Sequence, residues 1–260
     1  MTTDGGLLAD QRRALILDLV RRDGAVKVAE LVDQLGVSDM TIRRDLDALA
    51  RAGTVRKVYG GAVARTTSAE EPAFEAKSTL APETKAALAE AAAARVQPGS
   101  VVAVSAGTTA YAVAARLLDV PGLTVVTNSL PVAELLRSRG ENGPALLLTG
   151  GAPTRSAALV GPLADQAIRS LHVDLLVIGA HGVSERAGLT TPNLAEAQTN
   201  RALIASAHRT VAVADHTKWG VVGLSSFAAL GELDCFITDH ALPAEARAVL
   251  AETCGELLIV

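Results

Sequence analysis

The chain has 260 residues, a formal net charge of −4 and 2% aromatic residues, so its core must come from Ala, Val, Leu and Ile. Hydrophobic residues at 49% and charged residues at 20% exclude a disordered chain, and two cysteines, Cys235 and Cys254, exclude a disulfide scaffold and fit a reducing compartment. Met1 to Gly6 shows no basic start followed by an apolar stretch, and no apolar run reaches the ~18 residues a spanning helix needs, so the expectation is a soluble cytoplasmic protein with no membrane partner.

The net charge hides an asymmetry. Residues 1–65 carry eleven Lys and Arg against nine Asp and Glu, while the remainder carries thirteen against nineteen. Between 40 and 65, Arg43, Arg44, Arg51, Arg56, Lys57 and Arg65 face only Asp45 and Asp47. Such a cluster suits a phosphate backbone, although charge alone favours a solvated helix face.

The N-terminal elements decide between those readings. Leu15, Ile16, Leu19 and Val20 give a one-faced helix over Asp10–Arg22, stopped by Asp23-Gly24. A second helix, Val26–Gln34, carries Val28, Leu31, Val32 and Leu35 and ends at Gly36. A third starts near Asp39 with Ser38 as N-cap, whose hydroxyl accepts an orphan first-turn amide. In a helix-turn-helix the later helix enters the major groove by its N-terminal residues, here Asp39, Met40, Thr41, Arg43 and Arg44. Ile42, Leu46 and Leu49 form its buried face, and Thr54–Gly61 reads as a strand and Gly turn, a wing with Arg56 and Lys57 at its basic tip.

Val37-Ser38, Thr41-Ile42-Arg43-Arg44-Asp45-Leu46 and Gly60-Gly61-Ala62 resemble the DeoR family of bacterial transcriptional regulators. The resemblance implies a winged helix-turn-helix over 1–64 that binds double-stranded operator DNA, usually as a repressor. Ser38, Met40, Thr41, Arg43, Arg44, Arg56 and Lys57 are then the expected DNA-binding residues.

Residues 65–82 are polar and punctuated by Pro72 and Pro82, as in an interdomain connector. From Glu83 to the end, short apolar runs alternate with helical stretches, which predicts a mostly parallel sheet covered by helices on both faces. The expected strands are 101–104, 123–127, 145–149, 175–179, 211–214, 235–238 and 257–260. The helices are 83–96, 109–118, 130–137, 193–207 and 244–252. Ligands of such sheets collect beyond the carboxyl ends of the strands. There stand Ser105-Ala106-Gly107-Thr108-Thr109, Thr127-Asn128-Ser129, Gly150-Gly151, Gly179-Ala180-His181-Gly182 and Asp215-His216-Thr217-Lys218. Small residues, hydroxyls and a helix N-terminus suit an anion, though helix capping alone accounts for any single one of these turns.

This constellation also resembles the DeoR-family effector domain, which is similar to ribose-5-phosphate isomerase and glucosamine-6-phosphate deaminase. The resemblance implies a phosphorylated sugar or sugar-like effector. Gly107, Thr108 and Thr109 then hold its phosphate, with Asn128 and Ser129 beside them. Lys218 is the cation facing the ligand, Asp215 and Glu196 partner hydroxyls or Lys218, and Ser105 and Gly151 complete the set. The family commonly has Asp-Ser where this chain has Ser105-Ala106, so its effector can differ.

A rival reading is a sugar-phosphate isomerase with a DNA-binding appendage, for which Glu196, Asp215, His181 and Lys218 have the right chemistry. Against it, Ser105 replaces an acid, and an operator reader has no use on a plain catalyst. The five histidines and two cysteines lack zinc-site spacing, and no metal or cofactor is expected. Reading paired half-sites requires a homo-oligomer, a dimer or tetramer, assembled through residues 83–260.

Overall fold

The computed structural model describes residues 8–23, 25–58, 60–64 and 74–260. Gly24, Tyr59, Arg65 and the 65–73 part of the connector lie outside the described residues, as does the Arg56 side chain. The chain forms two compact units, one from the residues up to 64 with 75–80, the other from Phe74 and 81–260.

The first unit runs α1 (Ala9–Asp23), β1 (Ala25–Lys27), α2 (Val28–Leu35), α3 (Asp39–Arg51), β2 (Val55–Val58) and β3 (Gly61–Ala64). Ile16 and Val20 of α1, Val28 and Leu31 of α2, and Ile42, Leu46 and Leu49 of α3 share one core with Val55 and Ala62. Leu15, expected on that face, is exposed, because the buried stripe follows the 16–20 repeat and Leu15 falls beside it. The second helix begins at Val28, two residues later than the apolar spacing suggests. Residues 25–27 instead pair antiparallel with β3, matching Val26 to Ala62, and make the wing three-stranded in the order β1-β3-β2. Gly61 allows that approach, since a Cβ there would sit 2.0 Å from the Val26 carbonyl oxygen. Gly36, at φ 64°, ends α2 in the left-handed conformation. Asp45 of α3 is buried, and its carboxylate accepts from Arg12 Nε at 2.5 Å, tying α3 to α1.

Within the expected connector, Phe74–Ser78 is helical (α4). The second unit follows with α5 (Pro82–Ala93), β4 (Val101–Val104), α6 (Thr108–Arg116), β5 (Thr124–Thr127), α7 (Leu130–Arg137) and β6 (Ala145–Leu148). Then come β7 (Ala152–Pro153), β8 (Leu159–Val160), α8 (Pro162–Arg169), β9 (Val173–Ile178), β10 (Gly182–Ser184), β11 (Gly188–Thr191), α9 (Leu194–Ser206) and β12 (Ala207–Val213). The chain closes with β13 (Ser225–Ala228), β14 (Cys235–Thr238), α10 (Ala244–Thr253) and β15 (Leu257–Ile259).

All seven strands read from apolar runs join one sheet, ordered β15-β14-β12-β9-β4-β5-β6, and every pairing in it is parallel. On one face Val102, Val104, Val125 and Val177 pack against α5, α6 and α7. On the other, Val126, Leu176, Ile178 and Phe236 pack against α8, α9 and α10. The strand order reverses between β4 and β9, which opens a crevice at their carboxyl ends. The sequence reading omits α8, the β7–β8 pair and a small antiparallel sheet, β10-β11-β13. It also takes 145–149 as a buried strand, whereas every residue of β6 is exposed at the sheet edge. Cys235 and Cys254 are buried free thiols, and burial pushes Cys235 up to about 11, so at neutral pH it stays an inert thiol.

Candidate functional site

The exposed face of α3 carries Ser38, Met40, Arg43 and Arg44, with Thr41 half-buried. The Ser38 hydroxyl accepts from Thr41 N–H at 3.3 Å, so the helix starts where the sequence places it. Arg43 is bonded twice to Asp39 one turn earlier, Nε to Oδ1 at 2.5 Å and Nη2 to Oδ2 at 3.2 Å. That bond holds the Asp39 carboxyl below its ordinary pKa, so it is ionised at neutral pH and fixes the guanidinium over the first turn. Lys57 of β2 donates to Asp47 of α3 at 2.6 Å, clamping wing to helix. Arg44 has no ion-pair or hydrogen-bond partner among the described residues. The Asp39–Arg43 pair was legible as an i,i+4 spacing; the Lys57–Asp47 pair, across two elements, was not.

In the second unit, the five polar turns expected at the sheet do lie at the carboxyl ends of adjacent strands, in the order β12-β9-β4-β5-β6. Their side chains divide into braces and open groups. Ser105 is a brace: it is buried, its N–H donates to the Val177 carbonyl, and its Oγ accepts from Gly179 N–H at 3.3 Å. Asn128, also buried, accepts from Ala106 N–H at 3.1 Å and donates to the Leu159 carbonyl at 3.1 Å. Ser129 caps α7 by accepting from Val132 N–H. Gly151 is required by packing, because at φ 120° a Cβ would lie 2.7 Å from the Val160 carbonyl oxygen.

Glu196 departs most from expectation. Its buried carboxylate accepts from Thr154 at 2.6 Å, Ser156 at 2.5 Å and Thr191 at 3.1 Å, so its oxygens are already occupied. Asp215, likewise buried, accepts from the N–H and hydroxyl of Thr217. Neither carboxylate pairs with Lys218. Tyr111 meets Phe74 edge to face at 5.8 Å, and Trp219 packs on the core.

The open groups are fewer. Gly107, at φ 128°, caps α6, and nothing within 4 Å would meet a Cβ there. Thr108 and Thr109 are half-buried, and neither hydroxyl is bonded among the described residues. Lys218 is half-buried with no partner among them. The sequence reading passed over His216, whose Nδ1 lies 2.8 Å from Asp239 Oδ1 while its N–H donates to Oδ2 at 2.7 Å. Burial alone would raise the Asp239 pKa, but the N–H groups of His216 and Ala241 and the imidazole outweigh it, and the net shift is downward. A carboxylate with a depressed folded pKa adds stability above its unfolded value, and loses it as pH falls through the folded one. Asp239→Asn should therefore lower the melting temperature of this unit at pH 7, and the gap from wild type should close as pH drops below 4; an equal gap at both pH values would refute this assignment. An open depression of about 570 Å³ lies elsewhere, beside Arg186, Arg201 and Glu232, and none of the strand-end groups lines it. Among the described residues no His, Cys, Asp and Glu group could hold a metal, and no helix is long and apolar enough to cross a membrane.

A winged helix-turn-helix followed by an α/β unit with open polar turns at its strand ends defines a DNA-binding protein with a sensing unit. Residues 12–68 match the DeoR-like helix-turn-helix domain and residues 80–240 the DeoR C terminal sensor domain, so the chain belongs to the DeoR family of transcriptional regulators. The uncharacterized HTH-type transcriptional regulator YgbI of Escherichia coli (strain K12) is 39% identical over 250 residues, 96% of this chain and 97% of that one. The glycerol-3-phosphate regulon repressor of the same organism is 31% identical over 242 residues, 93% and 95% of the two chains. Among solved structures, ribose 5-phosphate isomerase A from Methanocaldococcus jannaschii is similar at a TM-score of 0.40 and 17% identity, over 53% of this chain and 54% of that one. The chain is a DNA-binding regulator and not an enzyme, as its family and relatives are named.

Proposed function

We propose that this regulator represses carbohydrate-metabolism genes from the cytoplasm, as a homo-oligomer whose operator affinity responds to a phosphorylated sugar or related polyol. Residues 1–64 read the operator, 65–82 connect, and 83–260 bind the effector and assemble. The observation that carries this reading is that the unbonded hydroxyls of Thr108 and Thr109, next to Gly107, and the Lys218 side chain, with no partner among the described residues, lie at the same carboxyl end of the sheet. Their parent strands, β4 and β12, are two positions apart, which is roughly 10 Å. An extended phosphorylated sugar spans that distance, its phosphate on the α6 N-terminus and its far end at Lys218. A relative named for glycerol-3-phosphate supports the same chemistry. Ser105, Asn128, Ser129, Gly151, Glu196 and Asp215 shape this site from behind rather than touching the ligand.

On the DNA side, Met40, Thr41, Arg43 and Arg44 face the major groove, with Ser38, Arg56 and Lys57 toward the phosphates. Asp39 presets Arg43 for bidentate contact with guanine. Arg43→Ala should weaken operator binding by about 1–3 kcal/mol while effector binding stays unchanged. Lys218→Ala should do the reverse, keeping operator affinity and losing the response. Anisotropy on labelled operator, with and without effector, measures both. Wild-type operator affinity in Arg43→Ala would refute the recognition assignment, and a full response in Lys218→Ala the effector site.

A further inference from the structure

We propose that β6 is the surface on which two copies of this chain join, edge to edge about a two-fold axis, into one continuous sheet. The inference rests on the proposed homo-oligomer and names its contact.

The strand is anomalous for its fold. Strands of a parallel sheet with helices on both faces are normally buried on both, yet Leu146, Leu147 and Leu148 are 37%, 37% and 41% exposed. Leu146 and Leu148 pair with Val125 and Thr127, and Leu147 with Val126, so the exposed leucines lie on both faces of the sheet. Val125 and Val126 belong to the two cores, but no β6 residue belongs to either.

The backbone is open as well. Ala145 N–H donates to the Leu123 carbonyl and Thr149 N–H to the Thr127 carbonyl. With a two-residue repeat, the N–H and C=O groups of Leu146 and Leu148 point away from β5, where no strand among the described residues pairs with them. Edge strands are usually protected by a charge, a bulge or an inserted proline. Residues 143–153, Gly-Pro-Ala-Leu-Leu-Leu-Thr-Gly-Gly-Ala-Pro, contain no charge at all, and the prolines only bracket the strand. The opposite edge differs, since β15 is half-buried and the Arg95–Glu256 ion pair lies beside its start.

A second copy is the occupant that fits. An uncharged strand meets its own antiparallel copy without like-charge repulsion, and a two-fold contact uses the same patch on both partners. The outward donors and acceptors of Leu146 and Leu148 find their counterparts in the copy, and the leucines on both faces are covered at once. A regulator that reads paired half-sites needs such a contact to fix its two DNA-binding units together.

Sedimentation of the full chain without DNA tests the proposal, together with hydrogen exchange of the Leu146 and Leu148 amides. The wild type should sediment as an oligomer, and both amides should exchange more slowly as protein concentration rises. Leu147→Lys places a gatekeeping charge on the edge. Leu146→Pro removes one outward donor while leaving the β5–β6 bonds intact. Each should weaken self-association by about tenfold or more and keep a cooperative melt. Variants that assemble like wild type, or amides indifferent to concentration, would overturn this surface and leave the regulator reading standing. A wild type monomeric at every concentration would overturn both this contact and the proposed oligomer. Should a variant fail to fold, the wild-type amide exchange still decides.

Discussion

Replacing Asp45 by alanine should destabilise the winged-helix unit by about 1.5–3 kcal/mol, a large share of what a small domain has. Asp45 lies on the inner side of α3, buried, with Arg12 Nε 2.5 Å from one oxygen and Arg13 Nε 3.4 Å from the other. Arg13 Nε is itself buried and has no hydrogen-bond partner among the described residues. Removing the carboxylate takes a charged acceptor from two half-buried guanidinium groups, and that loss exceeds anything the alanine methyl recovers. The unit has one modest core, from Ile16 to Ala62, so it has little stability to spare. Two-transition thermal melts of the full chain should show the first transition lowered and the second unchanged. Operator binding should weaken too, although Asp45 lies on the buried side of α3. A first transition within a degree of wild type would show that the ion pair contributes little.

Glu196→Ala should cost the α/β unit about 3 kcal/mol or more, because three hydroxyls lose a charged acceptor together. Thr154 and Ser156 lie on the segment that arches toward β5, where Leu159 N–H meets the Asn128 carbonyl at 2.6 Å. Thr191 ends β11. One carboxylate thus pins two separate pieces of chain over the strand ends. Beyond lost stability, the amides of 154–159 should exchange faster, and effector binding should weaken as the segment over the strand ends loosens. Unchanged exchange there would show that the segment is held by something else.

Where the sequence spoke clearly, one physical signal acted alone. The strands of this parallel sheet are short apolar runs, so all seven could be found without knowing their partners. Ser38 announced α3 because capping is local in sequence. The omissions have equally definite causes. Gly161-Pro162 reads as a turn and hides α8, an eight-residue helix that opens on that proline although Ala164 and Ile168 stand one helical turn apart. β10, β11 and β13 are three or four residues long, the first two opening on glycine, and β1 has only three residues. An apolar run reports burial, not position in a sheet, so Ala145–Leu148 looked like a core strand when it is the edge.

The candidate site shows the same division. Which loops meet followed from the alternation of strand and helix, since every parallel strand ends on the same side. Which side chains remain open did not follow. Glu196 in the first turn of α9 looks like a ligand until Thr154 and Ser156, some forty residues earlier, are seen to occupy it. His216 lacked any signal because its partner, Asp239, belongs to another strand end.

The most direct test of the account is fluorescence anisotropy on labelled DNA from upstream of the protein's own gene, at fixed physiological salt, with competitor DNA and a panel of phosphorylated sugars and polyols. Binding should resist competitor, one phosphate-bearing ligand should change its affinity by about 5–150-fold, and a Lys218→Ala chain should bind the DNA but ignore the ligand. Binding that no phosphorylated ligand alters, or a ligand response that survives Lys218→Ala intact, would contradict it.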